Sequence, residues 1–436
     1  MQSTANVAHE TFIPCRRTDL VEMIVQDGRL SPADQETFRK FSTLLAAYYH
    51  FQFHSTLETL KQSYAPFDPN NDLTLDDNVP AAKLEHMEQQ VVTNFRTILE
   101  KANYRELSSD SLAETLEQQS LVSLRTEINF DDFKNLICYF RGESLQTLPK
   151  QRFSLAKERE IEILDRVVLL IQYQDESYFT ERDVDLQTLN FRPGQIYLYF
   201  YKEVPKLDLE LLFPNVRTRM TLKDQLMLFV PATGMGIVVL VRILPQVLLI
   251  LGVLLFIFEA PDAFNSLKAT ESESSNLMPV LISTFSLAIA LGGFGFKQYS
   301  KYKSKRIQFQ KKVTETLFFR NIANHSAVFQ MFIDVAEEEE CKEILLAYYQ
   351  LLVSKEPLTV ETLDHEIEQW LEAKLNERVN FDVEDAVQKL TGLREETADG
   401  LVQFLTVAED GVLKVLSLGQ ANRLVDRLWD QAFDYS

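Results

Sequence analysis

LMPVLISTFSLAIALGGFGF, residues Leu277–Phe296, is a run of 20 residues without a single charge. As an α-helix it rises about 30 Å, the hydrocarbon thickness of a bilayer. A longer apolar stretch, Leu226–Phe258, precedes it and holds one ionisable residue, Arg242. Together the two stretches predict a two-span transmembrane hairpin. The first, 33 residues long, would reach about 50 Å as a straight helix, more than a tilted span needs. A kink or an interfacial piece is therefore expected at Pro231, at Gly234 and Gly236, or between Arg242 and Pro245.

Charge orients the hairpin. Arg217, Arg219 and Lys223 precede the apolar region, and Lys297, Lys301, Lys303, Lys305, Arg306, Lys311 and Lys312 follow it with no acid among them. The connection between the spans is acidic, with Glu259, Asp262, Glu271 and Glu273 against Lys268. Short basic flanks stay on the cytoplasmic side, so both termini are placed there. The seven cations abut a span, and contact with anionic lipid headgroups is expected of them.

Arg242 inside the apolar stretch reads as a snorkelling or helix-break residue, since no second intramembrane charge is present to pair with it. Ser286, Ala288, Ala290 and Gly292 are small residues suited to close helix contact, within the hairpin or between protomers. Two spans cannot enclose a substrate route alone. A channel or transporter would require a homo-oligomer.

The remainder of the chain is acidic. Residues 1–216 carry 22 cations against 34 acids and residues 336–436 carry nine against 23, within a net charge of −20. Such surfaces repel phosphate backbones, which excludes a general nucleic-acid binder. Cys15, Cys138 and Cys341 are odd in number and far apart, indicating neither a disulfide framework nor a zinc ribbon. No cofactor is implied. Met1–Glu10 shows no signal-peptide core and no Arg-rich transit pattern.

A helix is predicted from Leu30 to Tyr64, started by Ser31-Pro32 and striped by Phe38, Phe41, Leu44, Leu45, Tyr48 and Tyr49. It carries His50, His54 and Glu58 at four-residue spacing, a pattern that could hold zinc or iron and equally fits an aromatic packing face with two ordinary histidines. Asp68, Asn70, Asp72 and Asp76 resemble the opening of a calcium loop, but Leu73 stands where glycine is required and Val79 where a bidentate Glu belongs. This stretch reads as a turn. Arg166–Tyr173 and Ile196–Tyr201 predict strands of a small sheet.

Toward the C-terminus, Glu337–Glu340 reads as an acidic helix start. A second helix follows Thr359, a third runs Val383–Leu390 behind Asp382, and Glu409-Asp410-Gly411 predicts a hairpin between Val402–Val407 and Val412–Leu416. This order describes a winged-helix-like domain. Its third helix bears Asp382, Glu384 and Asp385 against Lys389, so a protein-interaction module fits better than a DNA reader.

The stretches Phe12–Leu20 (FIPCRRTDL), Tyr64–Pro69 (YAPFDP), Tyr139–Gly142 (YFRG), Val204–Pro214 (VPKLDLELLFP), Val313–Phe319 (VTETLFF) and Glu337–Glu343 (EEEECKE) resemble the family known as domain of unknown function 3754, which includes transmembrane protein 143. The resemblance implies a two-span membrane protein of unknown activity, found in mitochondria in animals and also in plants and cyanobacteria. It supplies no catalytic residues. With no transit pattern, a bacterial, cyanobacterial member is expected, in the inner or thylakoid membrane.

The fold class expected is a mostly helical α+β membrane protein. Its segments are an N-terminal helical region (1–120), a small α+β region (121–216), the transmembrane hairpin with its basic exit helix (217–312) and the winged-helix-like domain (313–436). The function expected is a membrane-anchored adaptor or assembly scaffold with an unidentified protein partner. The alternative is a membrane-associated enzyme, such as a metal-dependent hydrolase using His50, His54 and Glu58. No GxSxG, HExxH, Walker or GxGxxG motif supports that alternative.

Overall fold

The computed structural model describes residues 12–71, 79–108, 112, 125–147, 160–219, 318–397 and 400–431, with scattered helical positions between 282 and 315. Helices α1 (Arg17–Gln26), α2 (Pro32–Tyr64) and α3 (Ala81–Lys101) come first. Strands β1 (Arg105–Glu106), β2 (Arg125–Glu127), β3 (Phe133–Thr147) and β4 (Glu160–Tyr173) follow, then the short helix α4 (Glu176–Thr180), β5 (Ile196–Pro205), β6 (Arg217–Arg219) and β7 (Asn321–Asn324). Helices α5 (Ser326–Val353), α6 (Val360–Leu375) and α7 (Val383–Gly392) lead into two hairpins, β8 (Arg394–Thr397) with β9 (Gly400–Gln403) and β10 (Leu405–Val407) with β11 (Leu413–Val415). Helix α8 (Leu418–Gln431) closes the series.

The chain divides into two compact units. The larger takes residues 1–117, 130–209 and 320–436, so the N-terminal helices, the sheet and the C-terminal helices share one core across boundaries that separate them in sequence. The smaller takes 118–129 and 210–319; within it β2 pairs antiparallel with β6, and Phe309 packs with Leu211, Val216 and Val313.

Local chemistry explains the long helices. Ser31 Oγ accepts from the Asp34 N–H at 3.2 Å and Pro32 occupies the first turn, while Phe38, Phe41, Leu45, Tyr49, Phe53, Leu57, Leu60 and Tyr64 recur on one buried face of α2. Helix α5 differs, because from Glu339 to Gln350 it is buried on every side. That pattern belongs to a helix in the middle of a core. Around α5 the contacts are aromatic: Phe329 meets Tyr64 and Phe95 edge-on at 5.2 and 5.4 Å, Phe332 meets Tyr104 and Phe200, both at 4.9 Å, and Tyr348 lies between Phe41 and Phe404 at 5.1 and 4.7 Å.

The sheet has the order β1-β3-β4-β5-β7, antiparallel throughout. One face, with Ile137, Tyr139, Val168, Leu170, Ile196, Leu198 and Phe200, joins the core shared with α5. Tyr64 fastens helix to sheet by donating its hydroxyl to the Ile196 carbonyl at 2.9 Å. The two expected strands lie within β4 and β5; β1, β3 and β7 are additional. Helix α5 begins eleven residues ahead of its expected start at Glu337, because the acidic run is its interior.

The two-span hairpin, and with it the integral-membrane placement with both termini cytoplasmic in an inner or thylakoid membrane, is corrected: among the described residues no helix is long and apolar enough to cross a membrane. The long helices that are described, α2 and α5, carry charges such as Arg39 and Lys40 or Glu339, Glu340 and Lys342, and their apolar residues are committed to the protein core. Leu226–Phe258, with Arg242, lies outside the described residues, and of Leu277–Phe296 only Ile282, Ser286, Ile289, Gly293 and Phe296 are described, as helical positions.

Phe329 has no exposed surface and two ring partners. Phe329→Ala should lower unfolding free energy by about 3–5 kcal/mol, whereas Leu401→Ala, at a side chain 53 % exposed, should change it by less than about 0.5 kcal/mol. Urea titrations followed by circular dichroism check both.

Candidate functional site

Seven residues in the middle of α5, Glu337–Glu343, bring five carboxylates and one ammonium into or beside an apolar interior. Burying an ion unpaired is prohibitive, so each must find a partner. Glu337 Oε2 meets His50 Nδ1 of α2 at 2.9 Å, and Glu338 Oε1 accepts the Arg17 N–H at 3.1 Å. Glu339 accepts the Ile13 N–H at 3.4 Å, Arg141 Nη1 at 3.4 Å and Lys342 Nζ at 3.1 Å. Lys342, 2 % exposed, completes its shell by donating to the carbonyls of Ile13 at 2.7 Å and Cys15 at 3.0 Å.

On the next turn, Glu340 and Glu343 share Lys389 of α7, at 3.0 and 2.6 Å, and Asp385 contacts the same ammonium. Lys101, at the end of α3, stands 3.7 Å from Glu340 Oε1. Asn103 adopts a left-handed φ of 59° just beyond α3 and donates Nδ2 to Glu343 Oε1 at 2.7 Å. Asparagine tolerates that conformation better than most residues. Arg141 is held between the rings of Phe12 and Tyr104, 4.6 and 4.8 Å from their centroids, and donates to the Ala102 carbonyl at 3.2 Å.

One ammonium neutralises one charge, and here three carboxylates surround Lys389. Burial opposes the Lys389 charge, but Glu343 and Glu340 outweigh it and hold the ammonium well above the ordinary lysine range. Burial likewise pushes the Glu343 carboxyl up to about 7, against the pull of Lys389 and Asn103. This group takes up or releases a proton near neutrality. The thiols offer no nucleophile, since burial pushes Cys15 up to about 11 and Cys138 and Cys341 up to about 12.

The cluster therefore clasps rather than reacts. It ties the segment Phe12–Arg17, the end of α3, the sheet through Arg141 and the helix α7 to one helix.

The residues singled out in the sequence lie elsewhere or have other partners. His50 is bound to Glu337, His54 is exposed, and Glu58 pairs with Lys61 at 3.0 Å. Among the described residues no group of three or more His, Cys, Asp or Glu is placed to hold a metal ion. Lys297, Lys301, Lys303 and Lys311 are exposed on helical positions, Lys311 facing Glu315 at 3.5 Å; Lys305, Arg306 and Lys312, like Arg242, lie outside the described residues.

The missed residues are the partners Arg141, Asn103 and Lys389. The signal available was the acidic run itself, flanked by the apolar stretches Val328–Ile333 and Ile344–Tyr349: a charge run inside an apolar helix implies internal pairing.

Lys389→Met should leave Glu340 and Glu343 buried without their shared cation and reduce stability by about 3–5 kcal/mol, with much of the loss recovered when Glu340 and Glu343 are also replaced by Leu. Glu343 holds its proton to about pH 7 in the folded chain and to its usual value of 4.5 when unfolded. Its contribution is thus complete below the lower value and is lost as pH rises through the upper one. Glu343→Gln should flatten that fall in a stability–pH profile taken between pH 4.5 and 7.

No solved structure matches the chain. Residues 164–327 match a family model described as "Protein of unknown function (DUF3754)". The span takes in most of β4, all of β5 and β7, and the first residues of α5. The match carries nothing specific to transmembrane protein 143. Over this region the chain is similar to the family of unknown function DUF3754.

Proposed function

We propose that the protein is an interaction scaffold whose C-terminal part, residues 354–431, receives a basic protein partner. The observation that carries this reading is the direction in which charges point. Four cations of this region are paired, Lys389 with the α5 carboxylates, Lys374 with Asp27 at 2.7 Å, Arg427 with Glu395 at 2.7 Å and Arg378 with Glu372 at 2.9 Å, while Lys355, Arg394, Lys414 and Arg423 face solvent among a larger number of acids. Glu361, Glu377, Glu384, Glu396, Glu409 and Asp410 face solvent.

Apolar side chains stand among these acids. Leu401 on β9 and Val407 on β10 are 53 % and 54 % exposed, on successive hairpins. Apolar anchors within a charged rim are how protein interfaces are built. The helix that would read DNA in a winged-helix protein, α7, turns Val383, Ala386, Val387 and Leu390 into the core and shows Glu384 outward. This supports a protein partner over a phosphate backbone.

Photo-crosslinking amino acids placed at Leu401 and Val407 should give a discrete adduct in the native cell, weakened at high salt because the rim attraction is screened. The adduct should disappear when Glu384, Glu396 and Glu409 are changed to Lys. Equal crosslinking from a control position at Gln52 on α2, or survival of the adduct in the triple-Lys chain, would refute the proposal.

A further inference from the structure

A second polar site lies on the face of the sheet opposite to the shared core. It starts from a row across three strands. Arg141 pairs with Arg166 and Glu143 with Leu164, which sets Gly142 opposite Asp165; Leu164 pairs with Val204 and Arg166 with Lys202, which sets Asp165 opposite Glu203. Positions 165 and 203 thus lie opposite each other on neighbouring strands, and both residues line one pocket, a placement of like charges that favours something positive between them.

The backbone of this row is unusual. Gly142 has φ +79°, and a Cβ at that position would fall 2.6 Å from Asp165 Oδ2. The missing side chain is what gives the Asp165 carboxylate its place, where it also accepts from Ser144 Oγ at 2.8 Å. Glu203 has φ +51° in the interior of β5. A left-handed non-glycine residue within a strand costs on the order of 1–3 kcal/mol and persists where the site requires it. It also interrupts the burial alternation of β5, exposing Lys202 and Glu203 in succession.

Beside the row the surface sinks into a pocket of about 320 Å³ lined by Ser144, Gln146, Ile163, Asp165, Glu203 and Arg320. Arg320, immediately before β7, has a buried Nη1 without a hydrogen-bond partner among the described residues. A buried guanidinium nitrogen left unpaired is costly, so it marks a place for an acceptor oxygen. The cavity is of the size that holds a small molecule. Asp165, Glu203 and Arg320 all fall inside the family-matched span 164–327.

We infer that this pocket binds a small zwitterion of the free amino-acid class, its carboxylate on Arg320 and its ammonium between Asp165 and Glu203. Each half of such a ligand answers one feature of the pocket. The carboxylate completes the guanidinium, and the ammonium lies with the two acids that line the same pocket. A simple anion would meet two carboxylates, and a simple amine would meet the arginine. Charge complementarity therefore requires both groups on one molecule. The site is independent of the C-terminal surface proposed above.

The test is isothermal titration of the full chain with the L-amino acids taken singly at millimolar concentration, alongside acetate, inorganic phosphate and putrescine. At least one amino acid should bind, and the three single-charge probes should not. Arg320→Met and Glu203→Gln should each weaken binding by about tenfold or more, the loss of one charged hydrogen bond. Glu203→Gly, which relieves the backbone, should lose binding while melting no lower than the parent, so that a loss of affinity is separated from a loss of fold. Absence of heat with every amino acid overturns the inference, as does binding that survives both Arg320→Met and Glu203→Gln. Binding of phosphate or acetate in preference to every amino acid overturns the zwitterion assignment.

Discussion

The pairing of carboxylates inside α5 is the constraint that the larger unit is arranged around. Aromatic burial draws helices and sheet together, but dispersion and hydrophobic contact are tolerant of sliding. Glu339, Glu340, Lys342 and Glu343 are not tolerant, because a shift of one helical turn would leave buried charges facing apolar surface. Each partner comes from a different place in the chain: Ile13 and Cys15 from the N-terminal segment, Lys101 and Asn103 from the end of α3, Arg141 from β3 and Lys389 from α7. The charges fix register among elements that the aromatic core merely brings near.

What the sequence disclosed followed from whether a signal was local. Ser31 and Pro32 mark the start of α2 through contacts within four residues, and Glu409-Asp410-Gly411 marks a hairpin turn in the same way, with Gly411 at φ +80°. β4 and β5 were legible from their apolar residues. β3 was not, since Lys134, Asn135, Arg141 and Glu143 interrupt its alternation and are satisfied only by tertiary partners such as Glu88, Gln172, Glu339 and Arg105. The start of α5 was misplaced for a related reason. An acidic run looks like a helix N-terminus until its cations, up to hundreds of residues away, are known.

The polar stretches behind the family resemblance read equally well as surface function or as fold support. Geometry separates these for several of them. In Phe12–Leu20, Phe12 stacks on Arg141 while Ile13 and Cys15 offer carbonyls to Lys342; in Tyr64–Pro69, Tyr64 reaches the Ile196 carbonyl and Pro69 accepts from Arg192 at 3.2 Å; in Tyr139–Gly142, Arg141 is the sandwiched cation. These are clasps. Gly142 stands apart, since its missing side chain shapes the opposite face of the sheet. The pocket there was not legible, because Asp165, Glu203 and Arg320 are scattered in sequence and become neighbours only through strand register.

The adjacency of β5 and β7 has a consequence for how the chain is assembled. Tyr199, Phe200 and Tyr201 pair with Asn324, Ala323 and Asn321, so a loop of roughly 120 residues is closed by one short strand pair, and loop-closure entropy grows only logarithmically with that length. The ends of the intervening segment leave and rejoin the sheet side by side. Its length is therefore nearly neutral to the stability of the sheet. Doubling the number of residues so enclosed would add only about 0.6 kcal/mol of closure entropy, so the register of the sheet is set by its own strand pairs and not by the length of what they enclose.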